Sequence, residues 1–316
     1  MKSLTFIIPV FNEEKNITNV FDELLKIKKK LSEKYKIFFL FADNNSTDNS
    51  FKILNEIAKS NNFVRLIKYS RNYGYQRSIL TAIKYSETDG AVIIDCDLQD
   101  PPELILQFIK YWEKGYKNIY GIRSKRKESW VKLRSIYYKL INKLSDIEMP
   151  ENAGDFRLLD KVIINYLKNI DHDNPYVRGL VASAGYKSVG IEYERKKRIK
   201  GQSSAGFFKL LLLAIRSITQ FSNFPIRLLS IFGIIILIII FLLIIFIIFI
   251  RIYFGTNSDI FLSLPKGFTT TWILILITIG INSLFLGIIG EYVSNIHDEI
   301  LKKNKVNIQK KVNFDK

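Results

Sequence analysis

Apolar and polar positions along the chain fall into three regimes. Through residues 1–125, short runs rich in Ile, Leu, Val and Phe at 4–10, 37–42, 64–68 and 91–94 predict strands. Between them apolar positions recur at helical spacing over 14–31, 48–59, 74–85 and 102–114. Thr47 or Asp48 offers a cap for the second of these helices, and Pro101-Pro102 opens the fourth. Such alternation predicts an α/β domain built on a doubly wound, mostly parallel sheet, with ligands at the carboxyl ends of the strands. In the second regime, 130–144 places Lys132, Arg134, Lys139 and Lys143 opposite an apolar face, and 206–225 is more apolar still. Both suit helices lying on an anionic membrane surface. In the third, 228–250 and 268–290 are each 23 residues long without a charge. A helix of that length reaches roughly 35 Å, enough for a hydrocarbon core of about 30 Å. The predicted organisation is therefore a domain at 1–205, an interfacial helix at 206–225, a transmembrane hairpin at 226–292 and a basic tail at 293–316.

Charge sharpens this division. The 316 residues carry 47 Lys and Arg against 30 Asp and Glu, a net charge of +17. Arg216 and Arg227 precede the first uncharged run, and Lys302, Lys303, Lys305, Lys310 and Lys311 follow the second. Positive-inside counting puts both the large domain and the tail in the cytoplasm, on the inner membrane with two spans. One cysteine excludes a disulfide framework and, with only His172 and His297, a Cys- or His-based metal cage. A metal here must be held mainly by oxygen. Gly280, Gly287 and Gly290 in the second run would permit close helix packing and a homo-oligomer.

The candidate chemistry sits directly after the predicted strands. Pro9-Val10-Phe11-Asn12-Glu13-Glu14 follows the first, Asp43-Asn44-Asn45-Ser46-Thr47-Asp48 the second and Asp95-Cys96-Asp97-Leu98-Gln99-Asp100 the fourth. Two carboxylates one residue apart, followed by an amide, can hold a hard divalent cation that keeps waters and bridges phosphates. Asp100 reads as a cap of the following helix. Arg123, Arg178 and the run Arg195-Lys196-Lys197-Arg198 offer cations for phosphate oxygens. Cys96 reads as a small buried filler. Acids clustered at the sheet edge, with no aromatic-basic recognition motif, argue against nucleic acid as partner.

These motifs, with Ser70-Arg71-Asn72-Tyr73-Gly74 and Ala153-Gly154-Asp155-Phe156-Arg157-Leu158-Leu159, resemble family 2 glycosyltransferases of GT-A fold. More narrowly the chain resembles the polyprenyl-phosphate glycosyltransferases, the group of the bactoprenol glucosyltransferases and dolichyl-phosphate mannose synthase. The resemblance runs through Ser222-Asn223-Phe224-Pro225 and Gly287-Ile288-Ile289-Gly290-Glu291-Tyr292. It implies a Rossmann-like catalytic domain that transfers one sugar, with inversion, from a nucleotide diphosphate sugar to a membrane polyprenyl phosphate. UDP-glucose with undecaprenyl phosphate is the expected pair, and GDP-mannose is the alternative donor. Carried over residue by residue, it implies that Pro9, Phe11, Glu13, Asp43, Asp95, Cys96, Asp97, Arg123 and Arg198 bind the nucleotide sugar. It likewise implies that Asp97 and Gln99 hold Mg²⁺ or Mn²⁺, that Asp155 lies with Asp97 at the reacting centre, and that Arg178, Arg195 and Ser203 contact acceptor or phosphate. Two departures stand out: Asp43-Asn44-Asn45-Ser46 replaces Asp-Asp-Gly-Ser, and Gly201-Gln202-Ser203-Ser204-Ala205 replaces Gly-Glu-Ser-Lys-Tyr. A non-catalytic membrane scaffold is the rival from another class.

Overall fold

The computed structural model describes residues 1–124, 153–170, 175–194 and 306–314, together with scattered helical positions between 235 and 296. Residues 1–210 with 301–316 form one compact unit, and 211–300 form a second.

The first unit is built on strands β1 (Lys2–Val10), β2 (Tyr35–Asp43), β3 (Val64–Tyr69) and β4 (Gly90–Ile93), alternating with helices α1 (Ile17–Leu31), α2 (Ser50–Ser60), α3 (Tyr75–Lys84) and α4 (Leu104–Glu113). All eight occupy the runs that their hydrophobic periods predict. The chain continues through β5 (Asn118–Ser124), β6 (Ala153–Asp160), α5 (Lys161–Lys168), α6 (Val177–Ser183) and β7 (Ser188–Glu194). These join one sheet in the order β7-β5-β6-β4-β1-β2-β3-β8, whose last member, β8 (Ile308–Val312), comes from the far end of the chain. The β1–β2, β2–β3, β1–β4 and β5–β7 pairs are parallel, while β6 runs antiparallel to β4 and β5, and β8 to β3.

Strand alternation splits the core. Leu4, Phe6 and Ile8 of β1 pack with Phe39 and Phe41 of β2 and with Leu24, Leu54 and Phe108 from α1, α2 and α4. Phe6 and Phe39 stack at 5.5 Å between ring centroids. Ile7, Leu40 and Ile93 point the other way and are fully or almost fully buried, as are Ile79 and Ile83 of α3 and Ile163 and Leu167 of α5. Burying apolar surface on both faces of a parallel sheet is what its near-continuous apolar strands require. Chain order reverses between β1 and β4, so a switch-point crevice opens at their carboxyl ends.

The segment expected as a basic tail contributes an edge strand. Besides its ladder to β3, Ser70 N–H donates to Asn307 O at 3.0 Å, and Asn313 Nδ2 donates to Ala58 O at 2.7 Å and Val64 O at 2.8 Å. Lys311 lies 4.4 Å from the Tyr85 ring centroid. These charges also discourage further strand addition at the outer edge. Asn313 holds φ +62°, a left-handed conformation that asparagine tolerates better than most residues. Asn313→Ala loses those bonds and keeps the unfavourable φ, so it should destabilise the unit by about 2 kcal/mol, read as a drop in unfolding temperature.

In the second unit, the described positions are helical and expose large apolar side chains, among them Ile238, Phe241, Leu242, Phe249, Leu286 and Ile289. Among the described residues no helix is long and apolar enough to cross a membrane. The expected span at 228–250 lies largely outside the described residues and that at 268–290 partly so, while the expected amphipathic helix at 130–144 and interfacial helix at 206–225 lie wholly outside them.

Candidate active site

Each turn that follows β1, β2 and β4 contains a non-glycine residue with positive φ: Asn12 at 56°, Asn45 at 60° and Leu98 at 52°. Asparagine visits this region at modest cost, whereas leucine there is strained, a condition that persists where surrounding contacts over-determine the backbone. Asn45 thereby answers the first departure from the family pattern, because it adopts the conformation for which glycine is the usual choice. Asn44 is buried, donates from Nδ2 to Asn72 Oδ1 at 2.9 Å and accepts from Tyr73 N–H at 2.9 Å. It ties the turn after β2 to the loop after β3.

The first two turns are laced together. Asn12 N–H donates to Ser46 Oγ at 3.0 Å, Thr47 N–H to Asn12 Oδ1 at 2.8 Å and Glu13 N–H to Ser50 Oγ at 2.9 Å. Asp48 does not cap α2 as its N-cap residue, since Asn49 holds that position, but its Oδ1 accepts from Ser50 N–H at 2.9 Å. Inside this frame Asp43 is fully buried. Its Oδ1 accepts from Ser46 N–H at 3.2 Å, and its Oδ2 has no partner among the described residues. Burial pushes this carboxyl above its ordinary value, against the pull of Ser46 and Lys68. An orphaned buried oxygen at a strand end is a ready acceptor for a ligand hydroxyl or N–H. Phe11 remains exposed beside it, and Pro9 is buried within β1.

After β4, Tyr75 Oη donates to Asp95 Oδ1 at 2.5 Å. Burial raises the Asp95 carboxyl to about 7, reinforced by the charges of Asp100, Asp155 and Asp97, while the Tyr75 bond opposes the shift. Asp97, 8% exposed, accepts the Gln99 N–H at 3.1 Å across the strained Leu98 turn. The buried Cys96 thiol is pushed well up by burial and by nearby Glu13, Asp97 and Asp95, so it stays protonated, as a filler would.

Asp100 is not a helix cap. It is 1% exposed, accepts from Tyr193 Oη at 2.5 Å and faces Arg123 Nη2 at 3.5 Å. Arg123 Nε donates in turn to Tyr193 Oη at 3.3 Å. Burial disfavours the Arg123 charge, but Asp100 and Tyr193 outweigh it and hold the guanidinium above its ordinary range. The same side chain crosses Gly154, where an added Cβ would lie 3.1 Å from Nη2.

On the neighbouring strand, Arg178 Nε lies 3.2 Å from Asp155 Oδ1, and Arg178 Nη1 donates to Ala153 O at 3.0 Å. Gln76 accepts from Val177 N–H at 2.9 Å and approaches Asp155 Oδ2 at 3.5 Å. Of the residues expected at the site, Pro9, Phe11, Glu13, Asp43, Asp95, Cys96, Asp97, Gln99, Arg123, Asp155 and Arg178 are all described and lie in or beside the carboxyl-end turns and the start of β6. Arg195, Arg198 and Ser203 lie outside the described residues. Tyr75, Gln76 and Tyr193 went unread from the sequence. The first two follow Gly74 directly, so extending the Ser70–Gly74 motif by one helical turn would have reached them.

Among the described residues no three acidic, histidine or cysteine side chains are grouped to hold a metal ion. Asp97 with the Gln99 amide fits an ion whose remaining ligands are water and ligand phosphate, because hard cations that bridge phosphates need only one or two protein carboxylates.

Carboxylates in D-x-D spacing at the switch point, faced by arginines, fit the GT-A glycosyltransferases that the motifs resemble. Residues 5–167 match the glycosyl transferase family 2 model, and the chain belongs to that family. It is 35% identical to the uncharacterized glycosyltransferase YkcC of Bacillus subtilis, covering 97% of this chain and 93% of that protein. To the bactoprenol glucosyl transferase of Shigella phage SfII it is 30% identical, covering 97% of each chain. Its likeness within the family is thus to the polyprenyl-phosphate glycosyltransferases over nearly its whole length. Among solved structures, Mycobacterium tuberculosis glucosyl-3-phosphoglycerate synthase with Mn²⁺, UDP and phosphoglyceric acid is 15% identical, with a TM-score of 0.47 over 69% of this chain and 76% of that one. That likeness is too distant to assign any residue a role.

Proposed function

We propose that this chain transfers a hexose from a UDP-hexose, UDP-glucose foremost, to undecaprenyl phosphate at the cytoplasmic face of the inner membrane, with inversion. The observation that carries the reading is the end-to-end similarity to a bactoprenol glucosyl transferase, which includes the apolar C-terminal third as well as the catalytic domain. Exposed apolar side chains on helical positions in both apolar runs support a membrane hairpin, where a lipid acceptor that stays in the bilayer can meet a soluble donor.

The chemistry follows from the residues. Asp43, Asp95 and the exposed Phe11 ring offer hydrogen-bond acceptors and a flat apolar face to a nucleoside. An acceptor phosphate oxygen attacks the anomeric carbon, the bond from that carbon to the donor's diphosphate oxygen breaks, and nucleoside diphosphate leaves on the opposite side. A phosphate oxyanion is already a nucleophile, so no proton has to be removed from it. Asp155, tied to Arg178 and Gln76, is accordingly assigned to positioning and charge at the reacting sugar rather than to general-base catalysis. A divalent ion bound by Asp97 and Gln99 would supply neutralising charge for the departing diphosphate. Arg123 and Arg178 would add charge of the same sign.

The full chain, incubated with a panel of nucleotide sugars, Mg²⁺ or Mn²⁺ and undecaprenyl phosphate, should yield a lipid-linked monosaccharide by mass spectrometry, with UDP-glucose giving the largest yield. Absence of product with every donor would overturn the reading. A scaffold would in addition show no thermal stabilisation by any nucleotide sugar with metal.

A further inference from the structure

Among the described residues, Arg157 is a buried charge to which the transfer chemistry gives no use. It is 3% exposed, and strand alternation puts it on the same side of β6 as Asp155, opposite Phe156 and Leu158, which enter the core formed with α4. Its side chain runs back toward the carboxyl-end crevice, since Nη2 donates to Gly154 O, three residues earlier, at 2.9 Å. The Nε, also buried, has no partner among the described residues. Burial holds the guanidinium below its ordinary value; the Asp155 carboxylate opposes this shift, and Arg178 adds to it.

A buried guanidinium left short of hydrogen bonds is costly, and an aliphatic side chain of similar length would avoid that cost. What surrounds it points to a use. Arg178 and Arg157 grip successive carbonyls, Ala153 O and Gly154 O, and Asp155, on the same side of β6 as Arg157, is 3.2 Å from Arg178. Two guanidinium groups thus stand near one carboxylate at the start of β6, in a buried place where an added oxyanion would be strongly held. We infer that Arg157 and Arg178 form a phosphate-binding pair, with Arg157 as its buried member and a phosphate oxygen of a reactant as the missing partner. The inference rests on the transferase reading for which phosphate it is. Proximity to Asp155, rather than to the Asp97 turn, favours the acceptor's phosphate monoester over the donor's diphosphate.

The test uses the full chain in detergent or nanodiscs with Arg157→Gln and Arg157→Lys. The expected result is a KM for undecaprenyl phosphate raised at least tenfold in Arg157→Gln and less in Arg157→Lys, which keeps the charge but loses the fork, with donor KM within twofold. A rise in donor KM alone overturns the acceptor assignment while upholding a phosphate-binding pair. Unchanged KM values for both substrates overturn the pair and leave Arg157 a packing residue. A second arm needs no turnover: calorimetric titration with inorganic phosphate and inorganic pyrophosphate should show at least tenfold weaker binding of one of them in the variants. Equal affinity in wild type and variants overturns the pair even where the transferase reading fails. Should Arg157→Gln not fold, Arg157→Lys carries both arms, with a smaller expected effect.

Discussion

Asp97→Asn should lower turnover by about a thousandfold, equivalent to roughly 4 kcal/mol of transition-state stabilisation. The substitution keeps size and the acceptor oxygen that the Gln99 N–H uses, so the Leu98 turn should persist and the unfolding temperature should stay within a few degrees. What it removes is the negative charge placed, 8% exposed, where a cation shared with a diphosphate would sit. Donor KM should change far less than kcat, because charge on the leaving group grows toward the transition state. Raising Mn²⁺ should recover part of the loss. Turnover within tenfold of wild type would remove Asp97 from the reacting centre.

Asp100→Ala should instead act on stability. Removing one partner of a buried ion pair strands the other charge, at a typical cost of about 3–5 kcal/mol, and here Tyr193 Oη also loses its acceptor. For a unit of this size that corresponds to a fall of roughly 10 °C in unfolding temperature. Asp100→Asn retains an oxygen for Tyr193 and should cost less. Thermal unfolding of both variants against wild type decides the matter: a negligible shift for Asp100→Ala would mean that Arg123 finds another partner without cost.

The contrast between these two aspartates shows what local sequence reveals. Asp97 follows an apolar strand in a recognisable spacing, and its place is readable from that alone. Asp100 stands just before Pro101-Pro102 and a helix, so a capping reading was natural. Its actual partners, Arg123 and Tyr193, lie 23 and 93 residues farther on and come together only when β5 and β7 pair. The fold divides in the same way. Strands β1–β4 and the helices between them are legible because their apolar periods are long and are buried on both faces. In contrast, β7 is a partly exposed edge strand, and β8 reads Ile308-Gln309-Lys310-Lys311-Val312, a charged stretch whose strand character comes from the open side of β3 rather than from its own residues. Arg157 stands within a motif that carries the resemblance yet receives no role from it, since nothing in a motif distinguishes a buried arginine from a solvated one.

The late arrival of β8 bears on how the protein is made. Leu66 pairs with Val312, so the outer side of β3 has no strand beside it while the intervening 245 residues are synthesised, both uncharged runs among them. Closing that edge waits for β8, a long-range pairing of the kind that forms slowly. A chain that stops early thus leaves an open strand edge, and edges of that sort recruit other chains. β8 thus acts as a late seal, shielding the β3 edge only after both uncharged runs have been made.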